Sequence, residues 1–184
     1  SVSLLGYNDN FYNSSLERRV ETFIENPSDS LTEWPNVSAD YAQVTIFGQY
    51  LSEQYGPSIF KETLQSTAVG IDSINQFLQK YNFTEKFSNV FENWTVTNYL
   101  NDISLDKRYG YQRDDLKNIH VIPQQSFLSY PSAYTFNYNI KSWQPSWYKY
   151  DFSSLPSDKA VKINYSPDYF FRILFTDNLG RVGV

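Results

Sequence analysis

The sequence contains no cysteine, no methionine and a single histidine in 184 residues. The absence of cysteine excludes disulfides, zinc-thiolate centres and thiol nucleophiles. The one histidine, His120, cannot by itself supply the ligands of a catalytic zinc ion, and neither a His-Glu-x-x-His motif nor a Gly-x-Ser-x-Gly elbow occurs. We therefore expect the chain alone to hold no metal ion and no cofactor, and not to be an enzyme.

Basic charge is also scarce. The chain has 15 Lys and Arg against 20 Asp and Glu, which gives a formal net charge of −5. Such a chain offers no basic surface for phosphate groups, and this argues against nucleic acid and anionic membrane surfaces as partners. No apolar run approaches the roughly 20 residues that a membrane-spanning helix needs. The sequence therefore predicts no membrane span.

Aromatic residues, by contrast, are plentiful: 16 Tyr, 14 Phe and 4 Trp supply ample apolar surface for a folded core. The chain also carries Asn-x-Ser/Thr triplets, which are candidate glycosylation sites, at Asn13, Asn36, Asn82, Asn93 and Asn164. Such triplets also arise by accident in an Asn- and Ser-rich chain, and a following proline weakens the last of them. Together with the absence of oxidisable sulfur, they favour a secreted or cell-surface protein.

The first half of the chain has the periodicity of amphipathic helices. Apolar residues recur at helical spacing, and Pro and Gly mark the ends of the segments. The predicted helices begin near residues 15, 40, 57, 71 and 85, and the last ends near residue 100. Residues 28–38 are rich in turn formers, and we expect a loop there that Trp34 pins to the core.

The second half changes to strand-like alternation. The clearest example is the run from Tyr134 to Ile140, where aromatic and polar residues alternate. Further strands are predicted at 119–122, 147–152, 160–165, 169–176 and 181–184. We therefore expect an α+β protein: a helical subdomain at 1–105, followed by an antiparallel β-sandwich-like domain at 106–184. Because the chain stops within a strand, we expect this β domain to be incomplete.

Aromatic residues cluster in the second half, at Trp143, Trp147, Tyr148, Tyr150 and Phe152. Packing within the core of a β domain explains such a cluster. An exposed platform on which sugars stack is the alternative.

Three segments carry a resemblance to a known family. Residues 40–56, DYAQVTIFGQYLSEQYG, resemble the "Phe … Tyr-Leu-x-Glu-x-Tyr-Gly" helix of thermolysin-like zinc metallopeptidases. Residues 70–74, GIDSI, resemble their "Gly-Ile-x-x-Ile" helix start, and residues 87–100, FSNVFENWTVTNYL, are similar to their "Phe-x-x-Val-Phe-x-Asp-Trp-x-x-Ala-Asn-Tyr-Leu" ending. The segments occur in the family's order. Secreted peptidases of the immune inhibitor A type are the most similar members.

The resemblance implies a zincin C-terminal subdomain with an all-β domain after it. The His-Glu-x-x-His helix and the glutamate-bearing helix precede this region in the family, and residues 1–7 resemble the tail of the latter. All three zinc ligands would then lie upstream of residue 1, in a missing N-terminal part that is this chain's expected partner. Zinc is the cofactor of the parent if the parent is active, and a protein or peptide is its substrate.

One residue of this chain matches a functional position of the family. Tyr41 corresponds to a tyrosine that stabilises the tetrahedral intermediate in related aminopeptidases, and a phenol can donate a hydrogen bond to an oxyanion. Packing at a helix start is the alternative role. We expect a non-catalytic fragment of a secreted zinc-metallopeptidase-like protein. The alternative is an extracellular surface, glycan-binding or structural module on a degenerate peptidase scaffold. Whether the parent is a zinc metalloendopeptidase stays open at this point.

Overall fold

The computed structural model describes residues 14–127, 139–151, 172–176 and 182–183. Its helices are α1 (Ser15–Glu25), α2 (Ser38–Tyr55), α3 (Ser58–Gln65), α4 (Ile71–Lys80) and α5 (Phe87–Leu100). They lie within a few residues of the helices that the apolar periodicity predicts. Among the described residues, no helix is both long and apolar enough to cross a membrane.

Helix α1 begins and ends at signals that are visible in the sequence. The Ser14 hydroxyl accepts a hydrogen bond from the main-chain nitrogen of Glu17 at 3.1 Å, so one free donor of the first turn is satisfied. Leu16, Val20 and Phe23 form its buried stripe. The helix ends at Glu25, shortly before Pro27, and its buried stripe packs against α2.

Helix α2 is the central element. Its buried residues are distributed around the helix, which is typical of a helix enclosed by others. At its start, the Asp40 carboxylate accepts a hydrogen bond from the main-chain nitrogen of Val37 at 2.7 Å. The helix thus begins two residues before the predicted position, and Asp40 stabilises its first turn from inside. Gly56, with φ +81°, follows its end.

Trp94 of α5 is the centre of the core. Its side chain is fully buried, with the rings of Phe23, Phe47 and Phe91 at centroid distances of 6.0, 5.1 and 5.8 Å. The indole nitrogen donates to the hydroxyl of Tyr111 at 3.1 Å. Three helices therefore meet at one tryptophan, and its polar atom is satisfied by a residue that follows the helices.

The chain after α5 covers the helices and is not a β-strand at 119–122 as predicted. It forms two 3₁₀ turns, Lys107–Tyr109 and Asp114–Leu116, and then buries Ile119 and Val121 in the helical core. The amide of Asn101, which has a left-handed backbone, donates to the carbonyls of Leu116 and Ile119. These residues make their hydrogen bonds to the end of α5, so no neighbouring strand is needed.

The predicted antiparallel β-sandwich-like half is wrong. In the parts of the second half that the structure describes, the strands are β1 (Gln125–Phe127), β2 (Tyr148–Tyr150), β3 (Phe175–Thr176) and β4 (Val182–Gly183). β1 pairs with β2 in parallel, and β3 pairs with β4 antiparallel over two residues. The described residues therefore hold two separate two-stranded pairs and no sandwich.

The β-sandwich prediction failed because the two tryptophans of the second half pack against the helices. The ring of Trp143 lies 4.6 Å from that of Phe87 and 5.3 Å from that of Phe91, and the Trp147 indole donates to the carbonyl of Thr95 at 3.0 Å. Both tryptophans thus extend the helical core and do not build a β core. Most of the predicted strand at 134–140, all of 160–165 and Phe152 lie outside the described residues. The division at residue 105 stays a prediction.

Candidate functional site

Tyr41 lies in the first turn of α2, on the surface of the molecule. Its side chain is 40% exposed, and its hydroxyl donates to Oδ1 of Asn36 at 2.8 Å. The indole of Trp34 meets the Tyr41 ring edge-on at a centroid distance of 4.9 Å, and the guanidinium carbon of Arg19 lies 4.9 Å from the same centroid. We refer to these four residues as the Tyr41 face.

The Tyr41 face has the composition of a binding surface. Two aromatic rings offer apolar area, while a guanidinium and a carboxamide offer directional hydrogen bonds. Trp34 is 48% exposed, so the expectation that it pins its loop to the core is wrong. Phe47 and Leu51 of the same helix are buried, whereas Tyr41 is not. Its phenol is therefore reachable by a ligand, and its role at an oxyanion stays a prediction.

The loop between α1 and α2 is held on several sides by glutamine side chains. The amide of Gln43 donates to the carbonyl of Asp29 at 2.8 Å. The amides of Gln124 and Gln144 donate to the hydroxyl and the carbonyl of Ser28, at 2.6 and 2.7 Å. One glutamine lies on α2 and the other two follow α5, so this loop connects the helices to the second half of the chain.

Two carboxyl groups meet beneath that loop. The carboxyls of Asp29 and Asp40 lie within hydrogen-bonding reach of each other, and Asp40 is fully buried. Burial raises the pKa of Asp29 above its ordinary value, and the Asp40 carboxyl raises it further, while Lys141 acts in the opposite direction. Asp29 also lines an open cavity of about 480 Å³, together with the end of α1, Ala39 and residues 122–124.

A second polar cluster surrounds Glu85. Its carboxylate accepts from the hydroxyl of Tyr55 at 2.7 Å and from the amide nitrogen of Asn93 at 3.2 Å, and the Arg108 guanidinium lies 4.0 Å away. Burial, followed by the bond to Glu85, raises the pKa of Tyr55 far above its usual value. Because donors surround the carboxylate, this cluster is a satisfied structural network.

The candidate glycosylation sites differ in accessibility. Asn36 and Asn82 are exposed, and both have left-handed backbones, with φ of 65° and 59°. Asn93 is buried, and the nitrogen to which a glycan would be attached donates to Glu85. Asn13 and Asn164 lie outside the described residues. Glycosylation stays a prediction, with Asn36 and Asn82 as the accessible positions.

No site for zinc is present in the part of the chain that the structure describes, where no three His, Cys, Asp or Glu side chains converge. His120 is exposed, and its ring nitrogen Nδ1 lies 3.4 Å from the carbonyl of Tyr99. The tryptophans proposed as a sugar platform, Trp143 and Trp147, are partly buried against the helical core. Tyr150 of the same predicted cluster is exposed, and Trp34 and Tyr41 form an exposed aromatic pair elsewhere on the described surface.

Sequence reasoning missed several residues at these sites. Arg19 falls on a charged helix face, and Asp29 falls in a turn-rich loop, so neither stands out locally. Gln43 lies among apolar residues of a predicted helix, and a glutamine at a core position is the one signal that points to a buried polar contact.

Comparison with known proteins adds no family to this description. No protein-family model matches the chain, and no match is found among curated proteins.

Proposed function

We propose that this chain is the non-catalytic helical part of a secreted zinc-metallopeptidase-like protein. The single observation that carries the proposal is the position of Tyr41, whose phenol is reachable from solvent at the first turn of α2. The three segments that resemble the family lie largely in α2, α4 and α5. Phe47 and Trp94, from the first and the last of these segments, pack against each other.

In this proposal, Tyr41 acts on the parent's substrate from the edge of the helical subdomain. Asn36 holds the hydroxyl through its Oδ1, so the phenol is positioned before a substrate binds. A developing oxyanion would replace this neutral acceptor and gain the stronger, charge-assisted bond. Zinc, bound by the upstream part of the parent, would polarise the scissile peptide carbonyl. The Trp34 ring fixes one side of the Tyr41 ring and Arg19 another.

Replacement of Tyr41 by Phe in the parent protein tests this role. The reading frame upstream of residue 1 should encode a His-Glu-x-x-His motif. Loss of the phenol donor should lower kcat for peptide hydrolysis on the order of 100-fold, with little change in KM, because the bond forms mainly in the transition state. Tyr81→Phe is the matched control, since Tyr81 is also exposed and also donates to a side chain.

The outcomes are distinct. Unchanged kcat in Tyr41→Phe, or an equal loss in Tyr81→Phe, would contradict the role of Tyr41. Absence of the upstream zinc motif would contradict a peptidase parent and leave the scaffold alternative.

The second candidate function, a binding module on a degenerate scaffold, is favoured by the exposed Trp34–Tyr41 pair. A T-shaped pair of exposed rings beside Arg19 and Asn36 suits the apolar faces and hydroxyls of a glycan. A panel of soluble oligosaccharides, followed by tryptophan fluorescence, separates the two functions. In the binding module, Trp34→Ala abolishes the response and Tyr41→Phe leaves most of it. In the peptidase, Tyr41→Phe has the larger effect on turnover.

A further inference from the structure

Three buried oxygen atoms next to the α1–α2 loop have no hydrogen-bond donor among the described residues. They are Oδ2 of Asp29, Oδ1 of Asp40 and Oε1 of Gln43. Asp40 and Gln43 have no exposed surface at all. Buried acceptors without a donor are costly, and ionised carboxylates are the most costly of them.

The three side chains are neighbours in the fold. Asp40 and Gln43 are separated by one turn on α2, so they lie on the same helix face. The Gln43 amide contacts the main chain of Asp29, because its nitrogen donates to that carbonyl at 2.8 Å. The Asp29 and Asp40 carboxyls are within reach of each other. A fully buried amide oxygen thus adds a third, independent acceptor to the two carboxyls.

Positive charge near this cluster is weak. Lys141 is the cation that acts on Asp29, but its amine lies 3.2 Å from the carboxylate of Glu33 and is shared with it. Two carboxylates at close range repel each other unless a cation or a proton lies between them. A shared proton would satisfy both carboxyls but would leave the Gln43 oxygen without a partner. A cation satisfies all three oxygens.

We propose that Asp29, Asp40 and Gln43 form a binding site for a divalent, oxygen-seeking cation of the calcium class. Calcium takes carboxylate, amide and water oxygens in irregular geometry, whereas magnesium demands a near-ideal octahedron. Asp29 and Ala39 line an open cavity of about 480 Å³, so an ion bound at Asp29 can keep water ligands on that side. Such an ion fastens the loop to the start of α2, next to the Tyr41 face. The site does not depend on the proposed function.

The test begins with the 184-residue chain dialysed against a chelator. Calcium chloride is then added at constant ionic strength, and thermal unfolding and isothermal titration are measured. The expected result is one bound ion per chain and a melting temperature that rises with calcium concentration, because the ion binds the folded state. An unchanged melting temperature at millimolar calcium would overturn the proposal.

The Asp29→Asn variant tests whether calcium binds at this site. The variant keeps the shape and one oxygen but removes a charge, so calcium affinity should fall by about tenfold or more. Its metal-free form should be at least as stable as the unmodified chain, which shows that folding is intact. Asp72→Asn, at an exposed aspartate of α4, is the control and should bind calcium as before. Equal affinity in Asp29→Asn and the unmodified chain would overturn the proposal.

Discussion

Two polar clusters lie under the surface of this protein, and they are built in opposite ways. Around Glu85, donors from Tyr55 and Asn93 meet the carboxylate, and Arg108 adds a positive charge. Around Asp29 and Asp40, three buried acceptor oxygens have no donor among the described residues. The first cluster therefore stabilises the fold by itself, whereas the second needs a cation or a proton from outside.

Removal of the Glu85 carboxylate should have the largest effect. Glu85→Ala leaves the Tyr55 hydroxyl and the Asn93 amide nitrogen without their acceptor, at a cost of about 3 kcal/mol in the free energy of unfolding. Urea denaturation measures this change. Tyr55→Phe is the control that removes only one donor, and about 1 kcal/mol is expected for it. A loss below that of the control would contradict the assignment of Glu85 as the centre of the network.

The corresponding change in the other cluster should have the opposite sign. In excess chelator, Asp40→Asn should raise the free energy of unfolding by about 1 kcal/mol, because it removes a repelling charge and gives Asp29 a donor. The remaining amide oxygen can still accept from the Val37 nitrogen. In saturating calcium, the same substitution should be destabilising. Destabilisation in both conditions would show that the two clusters are alike.

The smallest expected effect is a difference in pH dependence. The folded pKa of Asp29 is raised above 3.8, so its contribution to stability is full below 3.8 and is lost as the pH rises through the folded value. The pKa of Asp106, which pairs with Arg108, is lowered to about 2, so its contribution is present above 3.8 and is lost as the pH falls towards 2.

The measurement is urea denaturation between pH 2 and pH 6 in chelator, a window of about two units on either side of the ordinary aspartate pKa. On acidification, the stability difference between the unmodified chain and Asp29→Asn should grow in favour of the unmodified chain. The difference from Asp106→Asn should shrink. Parallel changes in the two variants would contradict the assigned directions.

Helices that are set by interactions between residues close in the chain could be predicted from the sequence. Leu16, Val20 and Phe23 lie on one face of any helix that contains them, and Ser14 has a side chain that caps its start. Gly56 marks the end of α2 because a left-handed backbone suits glycine. Helix positions follow from such short-range rules. The first turn of α2 was missed because Asp40 acts as an internal acceptor and not as the cap itself.

The errors concern partners that are distant in the chain. Alternating aromatic residues after residue 130 predict a sheet, but the sequence does not show which surface they cover. Trp143 and Trp147 pack on α5 and its neighbours, so their apolar area belongs to the helical core. Likewise, a tryptophan is expected in the core, but Trp34 lies on the surface beside Tyr41. The burial of a side chain depends on which residues pack against it in the tertiary structure, and residue propensities carry no information about those partners.

The candidate sites divide in the same way. The role of Tyr41 is proposed from the sequence alone because the residue belongs to a contiguous segment that resembles a family, and this role stays a prediction. The expectation of no metal site rests on the single histidine, the absence of cysteine and the scattered positions of the carboxylates along the chain. A site of hard oxygen ligands draws on residue types that are common everywhere, so counting does not reveal it. Asp29, Asp40 and Gln43 stand out only once α1 and α2 are packed.

By itself, the sequence determined that the chain is rich in core-forming aromatic residues, that its first half is helical, and that it contains no thiol group. Each of these follows from residue identity or from spacing within one turn of helix. The tertiary structure decided which carboxylates have hydrogen-bond donors beside them. Glu85 gained Tyr55 from α2 and Asn93 from α5, while Asp29 and Asp40 met each other. Electrostatic energy depends on distances across the fold, and no local pattern of residues fixes those distances.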